Sequence, residues 1–169
     1  MDIRMFAIED WEAVSEIYVQ GVETGTAVFS NCRPSWEEWD VSHIKACRFV
    51  AEKDRKVVGW AALTPVSNHC VDSGVAEASV YVATDYRGFG VGKALMNAVI
   101  EASEKEGFWT IQASILQDNI ASIRLCEACG LRMVGYRERI GCDFNGVWHN
   151  TVMMEKRSGI VEGSGCRGK

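Results

Sequence analysis

A strand-like run, Ala76-Glu77-Ala78-Ser79-Val80-Tyr81-Val82, passes through Ala83-Thr84-Asp85-Tyr86 into Arg87-Gly88-Phe89-Gly90-Val91-Gly92. It continues into the helical pattern Lys93 to Ile100. Glycines at alternate positions between a strand and a helix let the backbone turn tightly and approach a ligand closely, while the helix N-terminus turns its amides and positive dipole end toward an anion. That is the layout of a pyrophosphate cradle, and it commits the chain to an α/β fold. Two better-known cradles do not fit. A nucleotide-triphosphate loop requires a glycine where the chain has Arg87 and a Ser or Thr where it has Ala94. A dinucleotide fingerprint counted from Gly88 requires glycine at Lys93, and it belongs at the first strand-to-helix crossing rather than in mid-chain.

Composition narrows the function classes. With 169 residues and 47% hydrophobic content the chain suits one globular domain built around a central sheet. The net charge of -5 and the lack of any long basic run exclude an electrostatic footprint for nucleic acid or for an anionic membrane. No apolar run approaches bilayer length, and Met1-Asp2 lacks the layout of a secretory signal, so the expected location is cytoplasmic. Seven scattered cysteines indicate reduced thiols. Cys126 and Cys129 form a C-x-x-C, but no second Cys/His pair at metal spacing follows, so no metal is expected.

The periodicities give the order of elements. Ile3 to Phe6 reads as a strand, and Ile8, Trp11, Val14, Ile17 and Tyr18 have helical spacing. Gly21 to Arg33 is loop-like, and Pro34-Ser35-Trp36-Glu37-Glu38 is a capping box opening a second helix toward Ala46. Arg48–Glu52 and Val57–Leu63 flank a turn, which makes a hairpin. After the polar loop Pro65 to Gly74 come the Glu77 strand, the glycine loop and a helix closed by Gly107. Trp109 to Leu116 is a strand, and Asp118-Asn119 caps a helix that stops at Gly130. Leu131–Ile140 and Trp148–Glu155 pair across Asp143-Phe144-Asn145-Gly146. The expectation is a mixed, mostly antiparallel sheet of about seven strands flanked by about four helices over residues 1–156, with 157–169 a disordered Gly/Ser-rich tail.

Arg87-x-x-Gly90-x-Gly92 resembles the coenzyme A loop of the GNAT acyltransferase superfamily, and the element order is similar to the fold of that superfamily. Within it, Glu77 to Val82, Arg87 to Gly92, Asn119-x-x-Ser122-x-x-Leu125 with Gly130, and Asn145 to Thr151 together resemble the phosphinothricin and methionine sulfoximine N-acetyltransferases over residues 2 to about 156. The resemblance implies acetyl-CoA as cosubstrate, a small amino-acid-like amine as acceptor, and a homodimer. It also implies a site. The cofactor would be held by Val80, Tyr81 and Val82 as an added pseudo-strand, by Arg87, Gly88, Phe89, Gly90, Val91, Gly92 and Lys93 at the pyrophosphate, and by Asn119 and Ser122 along the pantetheine arm.

Acetyl transfer requires a deprotonated amine, and in the resembling family the glutamate at the Glu77 position is the base. An oxyanion wants a fixed donor, which the resemblance places near the Val82 N–H. The acceptor pocket is expected from the Thr24 to Phe29 loop, Ala78 and Ser79, the loop carrying His69 and Asp72, and the hairpin around Trp148. Where the superfamily usually has Tyr, and phosphinothricin-type members often His, to protonate the leaving thiolate, this chain has Cys126. A coenzyme thiol titrates at about 8.5, as simple thiols do, and leaves without much help, so Cys126 is a candidate acid that catalysis need not require. The loop before Glu77 also lacks the Arg and aromatic residues that many phosphinothricin-acting members place there. Two other readings share these residues: an acetyltransferase for a protein or peptide amine, and a catalytically silent coenzyme-A-binding regulator.

Overall fold

A computed structural model describes residues 1–27, 32–67, 69, 72–143 and 145–162. The chain folds as β1 (Asp2–Met5), α1 (Trp11–Val22), α2 (Trp36–Ser42), β2 (Arg48–Lys53), β3 (Lys56–Pro65), β4 (Val75–Val82), α3 (Val91–Lys105), β5 (Thr110–Leu116), α4 (Ile120–Ala128), β6 (Arg132–Cys142) and β7 (Trp148–Arg157). This is the order expected from the periodicities. The seven strands form one sheet in the order β1-β2-β3-β4-β5-β7-β6, antiparallel throughout except where β4 runs parallel to β5.

Local chemistry accounts for the element ends. Ser35 accepts from the Glu38 N–H and Glu38 reaches back to the Ser35 N–H, closing the expected capping box. α2 stops at Ser42 rather than running on toward Ala46. The Ile44 N–H is drawn to the Leu63 carbonyl of β3 at 2.8 Å, and the Arg48 guanidinium takes the carbonyls of Asp40 and His43 that a longer helix would have used. In the β2–β3 turn Asp54 and Arg55 both have positive φ, the conformation that matches the twist of the flanking strands.

Two cores form on the two faces of the sheet. α3 and α4 cover one, built from Ala61, Leu63, Ala76, Leu95, Val99, Ile111 and Met154 among others. α1 and α2 cover the other with an aromatic cluster in which Trp39 packs against Phe6, Trp11, Trp36 and Trp60, and Trp60 stacks on Tyr81 at 4.8 Å. Strand alternation therefore turns Ala76, Ala78, Val80 and Val82 toward α3, and Glu77, Ser79 and Tyr81 toward α1.

Strand β7 reaches Arg157, one residue past the expected boundary at residue 156. Arg157 pairs with Thr110 at the start of β5, and Ser158 donates to Glu104 at the end of α3 and to the Trp109 carbonyl just before β5. Residues 163–169 lie outside the described residues.

Candidate active site

The parallel ladder between β4 and β5 has three rungs, Val75/Thr110, Ala76/Ile111 and Glu77/Gln112. β4 then runs on to Val82 and β5 to Leu116 without pairing, so the strands splay and open a cleft of about 570 Å³. On its other edge β4 stays paired with β3 as far as Val82/Gly59, and the Ala83 N–H bonds the Val58 carbonyl at 3.0 Å. The alternation of an antiparallel ladder then aims the backbone groups of residues 81 and 79 at β3. The N–H and C=O of Val80 and the N–H of Val82 face the gap.

Glu77 stands at the vertex. Gln112 Nε2 donates to its Oε2 at 3.0 Å. Along the cleft β4 presents Ala78, Ser79, Val80, Tyr81 and Val82, β5 presents Ala113, Ser114 and Ile115, and α4 presents Asn119, Ser122 and Cys126.

The far end is the glycine loop. Gly90 is the N-cap of α3 with φ 82, and Gly88 has the same φ; a Cβ at either would meet no protein atom within 4 Å. The first intrahelical bond runs from the Ala94 N–H to the Gly90 carbonyl, so the N–H groups of Val91, Gly92 and Lys93 have no partner within the helix. Gly88, Gly90, Gly92 and Lys93 line the cleft. Arg87 lines it too, but its Nε donates to the Val82 carbonyl at 3.0 Å, so the guanidinium ties the loop to the end of β4.

Asn119 has two tasks. Its Oδ1 accepts from the Ser122 N–H at 3.1 Å as the cap of α4, and its Nδ2 donates to the Thr26 carbonyl at 3.1 Å, tethering the loop after α1 over the cleft. Thr24, Thr26 and Ala27 of that loop line the opening, as expected; Phe29 lies outside the described residues.

Several expected residues do not line the cleft. The Phe89 side chain is 79% exposed, and Val91 is buried in the core beneath α3. What they offer a ligand is backbone. His69 and Asp72 sit before the start of β4, where β4 and β5 are still paired, whereas the cleft opens toward the strands' C-terminal ends. Trp148 pairs with Cys142 on β6, beyond the last β5–β7 rung at Leu116/Thr151, and is left exposed.

Other lining residues escaped the sequence reading: Gly21, Tyr86, Met96, the β5 residues and Leu125. Gly21 carried a signal, an isolated glycine inside a helical pattern. A Cβ there would fall 2.7 Å from the Tyr81 ring, so the missing side chain is what lets α1 close over β4.

Burial sets the chemistry of two groups. Desolvation pushes the Cys126 thiol up to about 12, with Cys129 and Glu127 adding to the effect. Burial likewise raises the Tyr81 phenol well above its usual range, so its hydroxyl stays protonated.

A strand and a helix joined by a glycine loop thus lie beside a splayed parallel pair with a carboxylate at its vertex, an arrangement able to hold an anionic ligand at one end and offer a proton acceptor at the other. The model of the acetyltransferase (GNAT) family matches residues 8–131, and the chain belongs to that family. It is an acetyltransferase. It is 32% identical over 160 residues to a phosphinothricin N-acetyltransferase of Alcaligenes faecalis, covering 91% of this chain and 81% of that protein. It is 27% identical over 159 residues to an L-methionine sulfoximine/L-methionine sulfone acetyltransferase of Pseudomonas aeruginosa, covering 90% and 92%. The crystal structure of a GNAT superfamily phosphinothricin acetyltransferase from Sinorhizobium meliloti in complex with acetyl-CoA matches with a TM-score of 0.82 at 26% identity, covering 99% of this chain and 91% of that one.

Proposed function

We propose that the protein transfers the acetyl group of acetyl-CoA to the amine of a small amino-acid-like substrate, of the methionine sulfoximine, phosphinothricin or L-amino-acid type, with Glu77 as general base. One observation carries the reading: the strands part directly after the Glu77/Gln112 rung, so a carboxylate stands at the vertex of a cleft that ends at the N-terminus of α3.

The residues fit the cosubstrate. The unpartnered first-turn amides of α3 and the open space at Gly88 and Gly90 suit a pyrophosphate, and the Val80 N–H and C=O suit the amide-bearing arm. Bound acetyl-CoA supplies an activated thioester carbonyl. Glu77 takes the proton of the acceptor amine, directly or through a water, since an ammonium has no lone pair to attack with. The Val82 N–H, fixed on a strand and facing the gap, is the donor for charge developing on the carbonyl oxygen.

Cys126 is a packing residue in this reading. A thiol with a pKa of about 12 holds its proton far more tightly than a coenzyme thiolate, whose own thiol titrates at about 8.5, so transfer from Cys126 runs uphill. Exposed apolar side chains gather on the β6–β7 hairpin, where Met133, Val134, Tyr136, Ile140, Val147 and Trp148 are all about half exposed. They support the homodimer, which light scattering measures directly.

The function test is a thiol-release screen of methionine sulfoximine, methionine sulfone, phosphinothricin and free L-amino acids with acetyl-CoA. Release stimulated by one or more of these supports the proposal. Release stimulated by a peptide amine and by none of them contradicts it.

A further inference from the structure

The carboxylate at the vertex is held on one side. Gln112 Nε2 donates to Glu77 Oε2 at 3.0 Å, and among the described residues no hydrogen bond reaches Oε1. The strand registers set these two side chains in a lateral row on the sheet face that α1 and α2 cover further along: Thr64 on β3, Glu77 on β4, Gln112 on β5, Glu155 on β7 and Arg132 on β6. Gln112 therefore lies between two carboxylates. Glu155 is already engaged, because Arg132 Nη2 donates to its Oε1. That ion pair offsets the charge that would otherwise compete for the Gln112 amide, and the amide is directed to Glu77.

We propose that Gln112 is a positioning residue for Glu77, acting through this one hydrogen bond; the inference rests on the reading of Glu77 as base. The terminal torsion of a glutamate is broad, so an untethered carboxylate at a cleft mouth samples many orientations. A hydrogen bond to an ionised oxygen is short and strong relative to a neutral one. With Oε2 held, Oε1 is the oxygen left to receive the proton of the acceptor. Among the described residues no other side chain makes a hydrogen bond or an ion pair to this carboxylate.

The test is a double-mutant cycle read by steady-state kinetics with methionine sulfoximine and acetyl-CoA. Gln112→Met keeps the size of the side chain and removes the donor. It is expected to lower kcat by about 10–100-fold while KM for acetyl-CoA stays within about two-fold, the signature of a misplaced catalytic group rather than a damaged cofactor site. In a Glu77→Gln background the same change is expected to cost less than about two-fold, since Gln112 then has no base to position. A full loss in both backgrounds, or an unchanged kcat in Gln112→Met while Glu77→Gln is impaired, overturns the inference and leaves the base assignment standing. An unimpaired Glu77→Gln overturns the base assignment itself. Should Gln112→Met fail to fold, Gln112→Thr suits a strand and is too short to reach the Glu77 carboxylate, with the same expectation. One readout needs no turnover: the Gln112 side-chain amide resonance, assigned by its loss in the Gln112 variants, should move when Glu77→Gln removes its charged partner, and a resonance that stays in place contradicts the proposal.

Discussion

At the scale of single residues the site separates into groups that act and groups that hold. Glu77 stands at a vertex that the register fixes, and among the described residues its carboxylate has one hydrogen bond, from the neighbouring strand. Cys126, by contrast, is 2% exposed and sits in the core beside α3 as well as at the cleft wall. If it is packing alone, Cys126→Ala should lower stability by about 1 kcal/mol, the scale for removing one buried heavy atom, and leave kcat within a few-fold of the parent. Denaturant titration together with kinetics checks both. A loss of about 100-fold in kcat, with folding and acetyl-CoA affinity intact, would return the proton-donor role to this thiol. Arg87 and Asn119 belong with the holding groups, since the guanidinium of one and the amide of the other are committed to the Val82 and Thr26 carbonyls.

At the scale of elements, the site exists because a parallel pair inside an otherwise antiparallel sheet stops pairing halfway along. Gly90 closes its far end in a left-handed conformation. Gly90→Val is expected to cost about 1–2 kcal/mol of backbone strain and to put its side chain in the open space at the head of α3. The informative readout is therefore ligand-induced stabilisation. Acetyl-CoA at 100 times its dissociation constant should add about 2.7 kcal/mol to the parent and nothing measurable to the variant. Equal shifts in melting temperature for both would remove the cradle from the account. Among the described residues the seven strands and four α-helices were legible in the sequence, because alternation, caps and glycine stops are local signals: Ser35, Asn119, Gly107 and Gly130 all mark element ends in the structure. The β4 side of the cleft was legible for the same reason. The β5 side was not. Ala113, Ser114 and Ile115 read as ordinary strand residues, and only the place where two strands part, which no local pattern encodes, turns them into cleft wall. Likewise the end of α2 is set by the Leu63 carbonyl, remote in sequence.

At the scale of the whole molecule, one face of the sheet is packed with aromatic rings and carries a titrating group. His43 stacks on Trp39 at 4.4 Å and bonds the Trp39 carbonyl through Nδ1. Burial holds its pKa below the ordinary value of 6.5, with the nearby Arg48 cation acting in the same direction against the carbonyl. A histidine depressed in the folded state binds protons more readily when unfolded, so its contribution is fully present above pH 6.5 and is lost as pH falls toward the depressed value. Unfolding free energy measured between pH 7.5 and about 5 should fall, and the fall should shrink in His43→Phe, which keeps the stack without the proton. An identical pH slope in the variant would place the titration elsewhere. The family match runs over residues 8–131, while the chemistry proposed for the protein rests on the carboxylate at the vertex. The most direct test is product identification: methionine sulfoximine and acetyl-CoA are incubated with the parent and with Glu77→Gln, and the amine product is quantified by mass spectrometry near neutral pH. The account predicts N-acetylated product from the parent and a rate lower by about 10²–10⁴-fold in the variant, recovering in part at high pH where the amine is already neutral. Equal product from both proteins across the pH range would contradict it.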